Sequence, residues 1–282
     1  MMSEPIKIAV MLGNLRMDLY EGMKLVADWG VPGLHISVDG GPWDARTCEG
    51  PARKELVKHI RGLGLEISAI SCWGGQVDLG EEEKWDENIA WGKQVMELAA
   101  DLECGIWQGH CGIMPEHTTD PKWARFLEGM QILSRHGEKV GAKLAIETGP
   151  EPAFVLRRLL DAVGSPNLCL NWDPANMFLW PAKFARDLGE PYDKLKWIEK
   201  FQPNEGALAL GDKIIHTHAK DALVLDDGTG KEVPLGEGWV DWPRYVGYLR
   251  ECGYDGYFAI EREVGANPAE DIKKAVDFLR TL

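Results

Sequence analysis

The sequence has no long hydrophobic run and no nucleotide-binding motif. No apolar segment approaches the roughly 18 residues of a membrane span. Its glycine-rich stretches spell neither G-x-G-x-x-G after the first predicted strand nor the phosphate loop G-x-x-x-x-G-K-S/T, which argues against dinucleotide-binding and P-loop folds. The first residues lack the charged and long apolar regions of a signal peptide. We therefore expect a cytoplasmic protein with no membrane partner.

Closely spaced cysteines and an excess of positive charge are also missing. The six cysteines are scattered and include no C-x-x-C, so they indicate neither a zinc knuckle nor a disulfide framework. The chain has 31 Lys and Arg against 45 Asp and Glu, a net charge of −14. Nucleic-acid binding relies on basic side chains that neutralise phosphates, so this balance argues against a nucleic-acid partner. The lack of a basic cluster also favours an unphosphorylated ligand.

What the chain does contain is a repeated alternation of short apolar segments with amphipathic helical segments. The predicted strands cover residues 6–11, 33–37, 65–70, 104–108, 142–146, 168–172, 213–217 and 256–260. This alternation predicts a parallel sheet with right-handed crossovers. Eight such units fit a single α/β domain over residues 1–282, a (β/α)8 TIM barrel. Segment 181–212 is longer than one helix requires, and we expect a surface elaboration, a lid or a subunit contact.

Four of these strands begin apolar and end in a side chain that can bind a metal. The four residues are Glu147, Asp173, His218 and Glu261. In an α/β barrel the C-terminal strand ends surround the active site. Three carboxylates gathered there would repel one another unless a cation neutralised them. The pattern therefore predicts one divalent metal ion, with Mn²⁺ ranked first, Mg²⁺ or Co²⁺ next, and Zn²⁺ as a further candidate.

Each of these residues also fits an ordinary structural role when it is considered alone. Glu147 could be a helix cap or a solvated carboxylate, Asp173 an Asx turn before a proline, His218 a hydrogen-bonded histidine at the barrel rim, and Glu261 the ion-pair partner of Arg262. Their shared position at one end of one barrel favours the metal site.

Further residues near the strand ends are candidates for support or substrate contact. His216 alternates with His218 across one residue, and we expect it to support the site rather than bind the metal. His110 and Trp107 are expected to contact the substrate. The tryptophans at or just past predicted strand ends are Trp73, Trp107, Trp172, Trp180 and Trp239. Most should pack in the core, and a few should stack on the apolar face of a sugar ring.

At these positions the chain resembles a known family, the xylose isomerase-like barrels of the sugar phosphate isomerase/epimerase group. The resemblance covers nearly the whole chain and is most specific in Ala-Ile-Glu147, Trp-Asp173-Pro-Ala-Asn176, His-Thr-His218-Ala-Lys220-Asp221, Pro234-Leu-Gly-Glu-Gly238 and Gly-Tyr-Phe-Ala-Ile-Glu261. It implies that the four strand-end residues hold one divalent metal ion and that Glu147 and Glu261 double as acid and base. It also implies homodimers or homotetramers.

Two departures from the family pattern bear on the substrate. Asn176 stands where epimerases of the group commonly have a histidine that binds a substrate oxygen and where related endonucleases have a metal ligand. Asparagine can still hydrogen-bond a substrate hydroxyl but is a poor metal ligand, which weakens a multi-metal DNA-repair function. His35, after Leu34, stands where the second strand often ends with glutamate. The substrate of a relative therefore does not transfer safely to this chain.

The residues and the resemblance together favour a metal-dependent sugar isomerase or epimerase. A divalent ion that holds a carbonyl oxygen and a neighbouring hydroxyl acidifies the C–H between them and stabilises the enediolate of a ketose or keto-sugar. One carboxylate removes the proton and another returns it. Lys220 is expected to anchor a substrate oxygen or to pair with Asp221, and Glu237 to close over the substrate or to lie in a plain turn.

Three alternatives stay open at this point. The same enediolate can expel a β-leaving group, which would make the protein a lyase, either a keto-inositol dehydratase or a 3-keto-glycoside-cleaving enzyme. An abasic-site endonuclease would require extra metal ligands and a basic face, which Asn176 and the negative charge disfavour. A sugar-binding protein without catalysis has no support, because both candidate acid/base carboxylates are present.

Overall fold

The computed structural model describes residues 5–72 and 77–282, so Trp73 lies outside the described residues. In chain order the strands are β1 Lys7–Met11, β2 Gly33–Ser37, β3 Glu66–Ser71, β4 Ile106–Gly109, β5 Lys143–Glu147, β6 Leu168–Trp172, β7 Ile214–Ala219, β8 Asp221–Val224, β9 Gly230–Val233 and β10 Tyr257–Ile260. Eight of them close a parallel barrel in the order β1-β10-β7-β6-β5-β4-β3-β2, and β8 and β9 form a separate antiparallel hairpin. The predicted TIM barrel is confirmed.

The helices follow the strands as the sequence pattern indicates. They are α1 Leu19–Asp28, α2 Gly50–Gly62, α3 Trp85–Asp101, α4 Pro121–Val140, α5 Ala153–Val163, α6 Asn176–Asp187, α7 Lys194–Phe201, α8 Glu205–Leu210, α9 Trp242–Glu251 and α10 Pro268–Leu279. The boundaries of α4 have local causes, because Asp120 accepts a hydrogen bond from the N–H of Lys122 and Gly141 ends the helix at a φ of 81°. Among the helices of the described residues, none is long and apolar enough to span a membrane.

Side-chain alternation along each barrel strand separates two buried layers. On β4, Trp107 is fully buried on the side that faces the helices, and a Cβ at Gly92 of α3 would come within 3.1 Å of its ring. The next residue, Gln108, is also fully buried but points into the barrel, where it donates a hydrogen bond to Glu147. The expected contact of Trp107 with substrate is therefore not supported, because its ring packs behind the strand.

The long segment between β6 and β7 contributes one helix to the outer layer of the barrel. Trp172 at the end of β6 donates its indole N–H to the carbonyl of Pro203 at 3.0 Å. A Cβ at Gly206 of α8 would lie 2.3 Å from the same ring, so only glycine allows this approach. Helix α8 is thus locked against the barrel. The lid and subunit-contact expectations for α6 and α7 stay predictions.

The hairpin β8–β9 was not predicted from the sequence. Asp221, at its start, is buried and accepts hydrogen bonds from the N–H groups of Gly236 at 2.9 Å and Val240 at 3.2 Å and from the indole of Trp242 at 3.0 Å. A Cβ at Gly238 would lie 2.0 Å from Asp221 Oδ1. This single carboxylate therefore holds the loop that leads from the hairpin to α9.

Candidate metal centre and active site

The structure brings the four predicted metal ligands together at the C-terminal end of the barrel. Glu147 ends β5, Asp173 follows β6, His218 lies on β7 and Glu261 follows β10, and these four strands are consecutive in the barrel. One potential ligand atom from each side chain lies within 4.8 Å of the others, and all four side chains are buried. The barrel therefore creates one compact donor set, which we call the metal-ligand cluster.

The potential ligand atoms of this cluster lie close to one another. His218 Nδ1 lies 3.0 Å from Glu261 Oε2, 3.3 Å from Glu147 Oε1 and 3.9 Å from Asp173 Oδ2. Despite these distances, neither ring nitrogen of His218 nor Asp173 Oδ2 makes an aligned hydrogen bond with any described residue. Buried polar atoms without partners are costly. Three carboxylates and one imidazole around a common point could hold a divalent metal ion.

Asp173 serves the backbone and the cluster with different oxygens. Its Oδ1 accepts hydrogen bonds from the N–H groups of Ala175 at 2.9 Å and Asn176 at 3.1 Å. Its Oδ2 faces the cluster. The Asx turn that the sequence offered as an alternative is therefore present together with the predicted position in the site.

Glu147 is held by a set of hydrogen-bond donors inside the barrel. Gln108 Nε2 donates to Oε2, and Asn176 Nδ2 donates to Oε1 at 3.1 Å. His110 Nε2 lies 3.4 Å from Oε2, at the partly exposed side of the site. The suggested role of Glu147 as a solvated or helix-capping carboxylate is wrong, because its side chain is only 1% exposed.

Lys220 places a positive charge beside Glu261 and Asp173. Its Nζ lies 3.1 Å from Glu261 Oε2 and 3.9 Å from Asp173 Oδ2, and it donates a further hydrogen bond to Glu263. The suggested salt bridge between Lys220 and Asp221 is wrong, because successive residues of an extended chain point to opposite sides. Lys220 therefore enters the site while Asp221 holds a loop.

Arg262 points away from the cluster and ties the hairpin to the barrel. Its Nη1 lies 2.7 Å from Glu232 of β9, and its Nε lies 3.0 Å from Asp271 of α10. The suggested ion pair between Glu261 and Arg262 is therefore wrong for the same reason of alternation. Glu261 keeps its carboxylate for Lys220 and His218.

Two of the buried carboxylates stay ionised because cationic groups face them. Burial by itself raises the pKa of a carboxyl group. For Glu261 this effect is outweighed by Lys220 and His218, and its pKa falls below the usual range. For Glu147 burial is outweighed by His110 and His218, which lower its pKa. Both candidate acid/base groups are thus available as carboxylates.

The pKa values of Asp173, His218 and Lys220 are shifted by burial and by the carboxylates of the cluster. Burial raises the pKa of Asp173 to about 8. Burial lowers the pKa of His218 and of Lys220, but the surrounding carboxylates, Glu261 foremost, raise both pKa values well above the usual range. A divalent ion would replace the proton on the ligating nitrogen of His218, since a metal-bound imidazole nitrogen must be unprotonated.

Comparisons with known proteins identify the family. The family model described as xylose isomerase-like TIM barrel matches residues 23–282. This chain belongs to that family. The L-ribulose-5-phosphate 3-epimerase UlaE of Salmonella paratyphi A is 39% identical over 279 residues, which cover 92% of this chain and 88% of the relative. The predicted family membership is confirmed.

Solved structures share the fold of this xylose isomerase-like chain. A xylose isomerase domain protein from Planctomyces limnophilus has a TM-score of 0.78 at 24% identity and covers 98% of this chain and 96% of its own. D-psicose 3-epimerase from Clostridium cellulolyticum H10 has a TM-score of 0.71 at 15% identity and covers 98% of this chain and 99% of its own. At these identities the likeness concerns the barrel alone.

Beneath the cluster of this xylose isomerase-like barrel lie two further histidines. His216 Nδ1 lies 2.8 Å from Asn171 Oδ1, and its Nε2 lies 3.2 Å from Ser68 Oγ. His35 of β2 places its ring centroid 5.1 Å from that of His216 and 5.4 Å from that of His218. Burial lowers the pKa of His216 well below the usual range and that of His35 to about 3, so both rings are neutral.

The remaining predicted substrate contacts occupy different positions. Glu237 is exposed in a turn in which its N–H donates to the carbonyl of Pro234 at 3.0 Å, so the structure shows the plain turn and does not bring Glu237 to the cluster. Trp180 lies one helical turn after Asn176, and a Cβ at Gly149 would lie 2.5 Å from its indole nitrogen. Its partly buried ring therefore lies next to the loop that follows Glu147.

Proposed function

We propose that this chain is a divalent-metal-dependent sugar epimerase or isomerase that acts on a ketose or keto-sugar through an enediolate. The relative UlaE is named as a sugar epimerase of the isomerase class, and this supports the same class of enzyme here. The observation that carries the proposal is the position of Glu147 and Glu261 on the first and last of four consecutive barrel strands. Two carboxylates can thus approach a substrate from two sides.

The metal-ligand cluster would hold the ion through Glu147, Asp173, His218 and Glu261. Mn²⁺ ranks first, followed by Mg²⁺ or Co²⁺ and then Zn²⁺, because three oxygen donors and one nitrogen donor suit such ions. When bound, the ion polarises a carbonyl group and a neighbouring hydroxyl group and so acidifies the C–H between them.

The protein's own side chains would then move the proton. One glutamate of the pair Glu147 and Glu261 removes it from carbon, and the other returns it. Return to the opposite face of the same carbon inverts that centre, and return to the adjacent carbon interconverts ketose and aldose. Asn176 and Gln108 donate to Glu147 and so fix its orientation. Lys220, 3.1 Å from Glu261, keeps that carboxylate ionised.

Two of these residues would also bind the substrate directly, as would His110. His110 lies beside Glu147 with 19% of its side chain exposed. Asn176 Nδ2 already donates to Glu147 and to the carbonyl of Thr148, so its amide oxygen would accept from a substrate hydroxyl, and Lys220 would offer its ammonium group to a substrate oxygen. Each touches one of the two glutamates, so a substrate held by them lies next to the groups that transfer the proton.

We expect an unphosphorylated substrate, although the relative UlaE is named for L-ribulose-5-phosphate. Two cationic side chains that follow β7 and β10 are already paired, Lys220 with Glu261 and Glu263, and Arg262 with Glu232 and Asp271. Measured kcat/KM should be higher for free L-ribulose or a free ketohexose than for the matching phosphate ester. A marked preference for the phosphate ester would contradict this expectation.

Hydrogen exchange tests the proposed reaction. The purified chain with Mn²⁺ in D₂O would be incubated with ketohexoses, keto-inositols and 3-keto-glucosides and followed by NMR. Metal-dependent deuterium next to a carbonyl, with an epimer or isomer as product, is the expected result. An eliminated product would assign the lyase instead. No exchange with any of these sugars would contradict the proposal and direct the next assay to abasic DNA and to sugar binding without turnover.

The cytoplasmic location and the homodimeric or homotetrameric state remain predictions. Light scattering of the purified chain gives the oligomeric mass, and fractionation of the source cells gives the location.

A further inference from the structure

His218 presents its two ring nitrogens to different surroundings. Nδ1 faces Glu261 at 3.0 Å and Glu147 at 3.3 Å, so Nδ1 is the nitrogen that would bind the metal ion. A metal-bound imidazole carries its proton on the other nitrogen and usually donates it to a partner that fixes the ring. His218 is fully buried, so bulk water does not reach its ring to accept this hydrogen bond. The Nε2–H of His218 therefore requires an acceptor inside the barrel.

The ring of His35 lies beside that of His218 and has no hydrogen-bond partner among the described residues. Its side chain is 1% exposed, and neither of its nitrogens makes a hydrogen bond within residues 5–72 and 77–282. Its ring centroid lies 5.4 Å from that of His218, and ring nitrogens of His35, His216 and His218 lie within 4.8 Å of one another. His216 is occupied at both nitrogens, by Asn171 and Ser68. The free acceptor among these rings is therefore His35.

His35 lies inside the barrel, next to an irregularity in the pairing of β2 with β3. β2 pairs with β3 through Leu34↔Ile67 and His35↔Ala69, so Ser68 is an extra residue in β3 without a partner on β2. Such a bulge re-aims the side chains around it. Ser68 uses the resulting position to donate to the carbonyl of Leu34 and to contact His216. Ser68 thus contacts His216, whereas the ring of His35 lies beside that of His218.

We propose that His35 is a positioning residue that accepts the Nε2–H of His218 and so holds the Nδ1 of His218 towards the metal ion. This inference rests on the metal site in the proposed function. A second metal ion bound by His35, His216 and His218 is the competing interpretation. It is disfavoured because both ring nitrogens of His216 already have partners, Asn171 and Ser68.

Binding of Mn²⁺ to the full chain tests the proposal without an activity assay. The EPR signal of free Mn²⁺ gives the dissociation constant and the stoichiometry. His35→Leu keeps much of the volume but has no acceptor, and we expect about 10–100-fold weaker binding. His35→Gln restores a carbonyl acceptor and should recover most of the affinity. His136→Leu is the matched control and should bind Mn²⁺ like wild type, because His136 lies on α4 and faces Glu97 at 3.0 Å, outside the cluster.

The outcomes separate the two proposals. If the wild-type chain binds no Mn²⁺, the metal site of the proposed function fails. If it binds one equivalent and His35→Leu binds equally well, the role of His35 is refuted. Two equivalents in the wild type, with one lost in His35→Leu, would establish the second ion instead.

A measurement on the wild-type chain covers the case in which His35→Leu does not fold. With ¹⁵N-labelled histidines and Mg²⁺ bound, NMR should show His218 protonated at Nε2, and an unprotonated nitrogen of His35 shifted by an accepted hydrogen bond. A His218 protonated at Nδ1, or a His35 nitrogen with the shift of a free imidazole, would overturn the proposal.

Discussion

At the scale of single residues, two carboxylates of the site contact different partners with their two oxygens. Asp173 gives Oδ1 to the N–H groups that begin α6 and leaves Oδ2 facing the metal-ligand cluster. Glu147 divides its oxygens between Asn176 and Gln108 in the same way. A carboxylate has enough lone pairs for both tasks. The backbone and the cluster therefore orient each other.

Replacing Glu147 by glutamine tests its role as acid/base. The amide oxygen can still bind a cation but cannot take a proton, so turnover should fall by about 10²–10⁴-fold while Mn²⁺ binding weakens but persists. Kinetics and Mn²⁺ titration on the same preparation measure both effects. The matched control is Glu151→Gln, a buried carboxyl four residues later that lies outside the cluster, and it should keep its turnover. Near-normal rates in Glu147→Gln would contradict the assignment.

The carboxyl group of Glu151 should make stability depend on pH. Burial raises its pKa to about 8 from the ordinary 4.5. Because the folded-state pKa is raised, its contribution is complete below about pH 4.5 and is lost as pH rises towards 8. Glu151→Gln, which stays neutral, should gain roughly 2–5 kcal/mol over wild type at pH 9 and little at pH 5. Urea unfolding of both proteins at the two pH values measures the difference, and an equal gap at both would contradict the prediction.

The residues of the site differ in how far the sequence could reveal them. Glu147, Asp173, His218 and Glu261 follow apolar runs directly, so the strand pattern alone predicts that they meet at one barrel end. Gln108 has no such signal, because its neighbour Trp107 on the opposite side of β4 is more prominent in the sequence. An analysis that had placed the correct side of β4 inside the barrel would have predicted Gln108, and not Trp107, as the site residue.

The position of His35 was even less accessible from the sequence. His35 lies on β2 opposite the register shift at Ser68, which belongs to a different strand. Local patterns carry no information about a register shift between strands that are 30 residues apart in the chain. The sequence showed that His35 departs from the family pattern, and only the packing of the barrel shows what it lies against.

At the scale of secondary-structure elements, α8 takes the place in the helix layer that the sequence left undefined. Its approach to β6 depends on Gly206, which faces the ring of Trp172. The sequence predicted the eight barrel strands to within one or two residues, because each is a short apolar run bounded by polar residues. It missed β8 and β9, which have only four residues each and pack mainly on α6.

Adding a methyl group at Gly206 tests this packing. A Cβ there would lie 2.3 Å from the Trp172 ring, so Gly206→Ala should destabilise the protein by about 1–3 kcal/mol. Gly247→Ala in α9 is the matched control, because no atom lies within 4 Å of the added Cβ, and it should stabilise by about 0.5–1 kcal/mol. Urea unfolding curves measure both changes. Equal effects would show that α8 can move away from β6 at little cost.

At the scale of the whole molecule, the barrel gathers negative charge that the fold itself only partly neutralises. The chain carries a net charge of −14, and three carboxylates meet at one end of the barrel. Lys220 and His218 are the cationic partners within the cluster. We infer that the chain folds as one domain, because eight strands between Lys7 and Ile260 close one barrel.

Metal addition should therefore stabilise the whole molecule. An ion that binds only the folded chain adds about 2.7 kcal/mol at a concentration of 100 times its Kd. The Tm should rise when Mn²⁺ is added and fall when a chelator is added. Asp173→Asn, which replaces a carboxylate that would bind the ion by a neutral amide, should narrow the difference in Tm between the two conditions. A Tm that is indifferent to both additions would contradict a metal site in the folded protein.

The hairpin β8–β9 has a practical meaning for redesign. Asp221 and the ion pair of Glu232 and Arg262 hold its base, while its tip is closed by local hydrogen bonds, such as those between Leu225 and Thr229 and between Gly228 and Leu225. The tip borders a cavity of about 570 Å³ that Tyr192 and Trp239 also line. Residues inserted at the tip would thus leave the contacts of Asp221, Glu232 and Arg262 unchanged. The tip of the hairpin is therefore a suitable position at which to insert a loop that binds a new ligand.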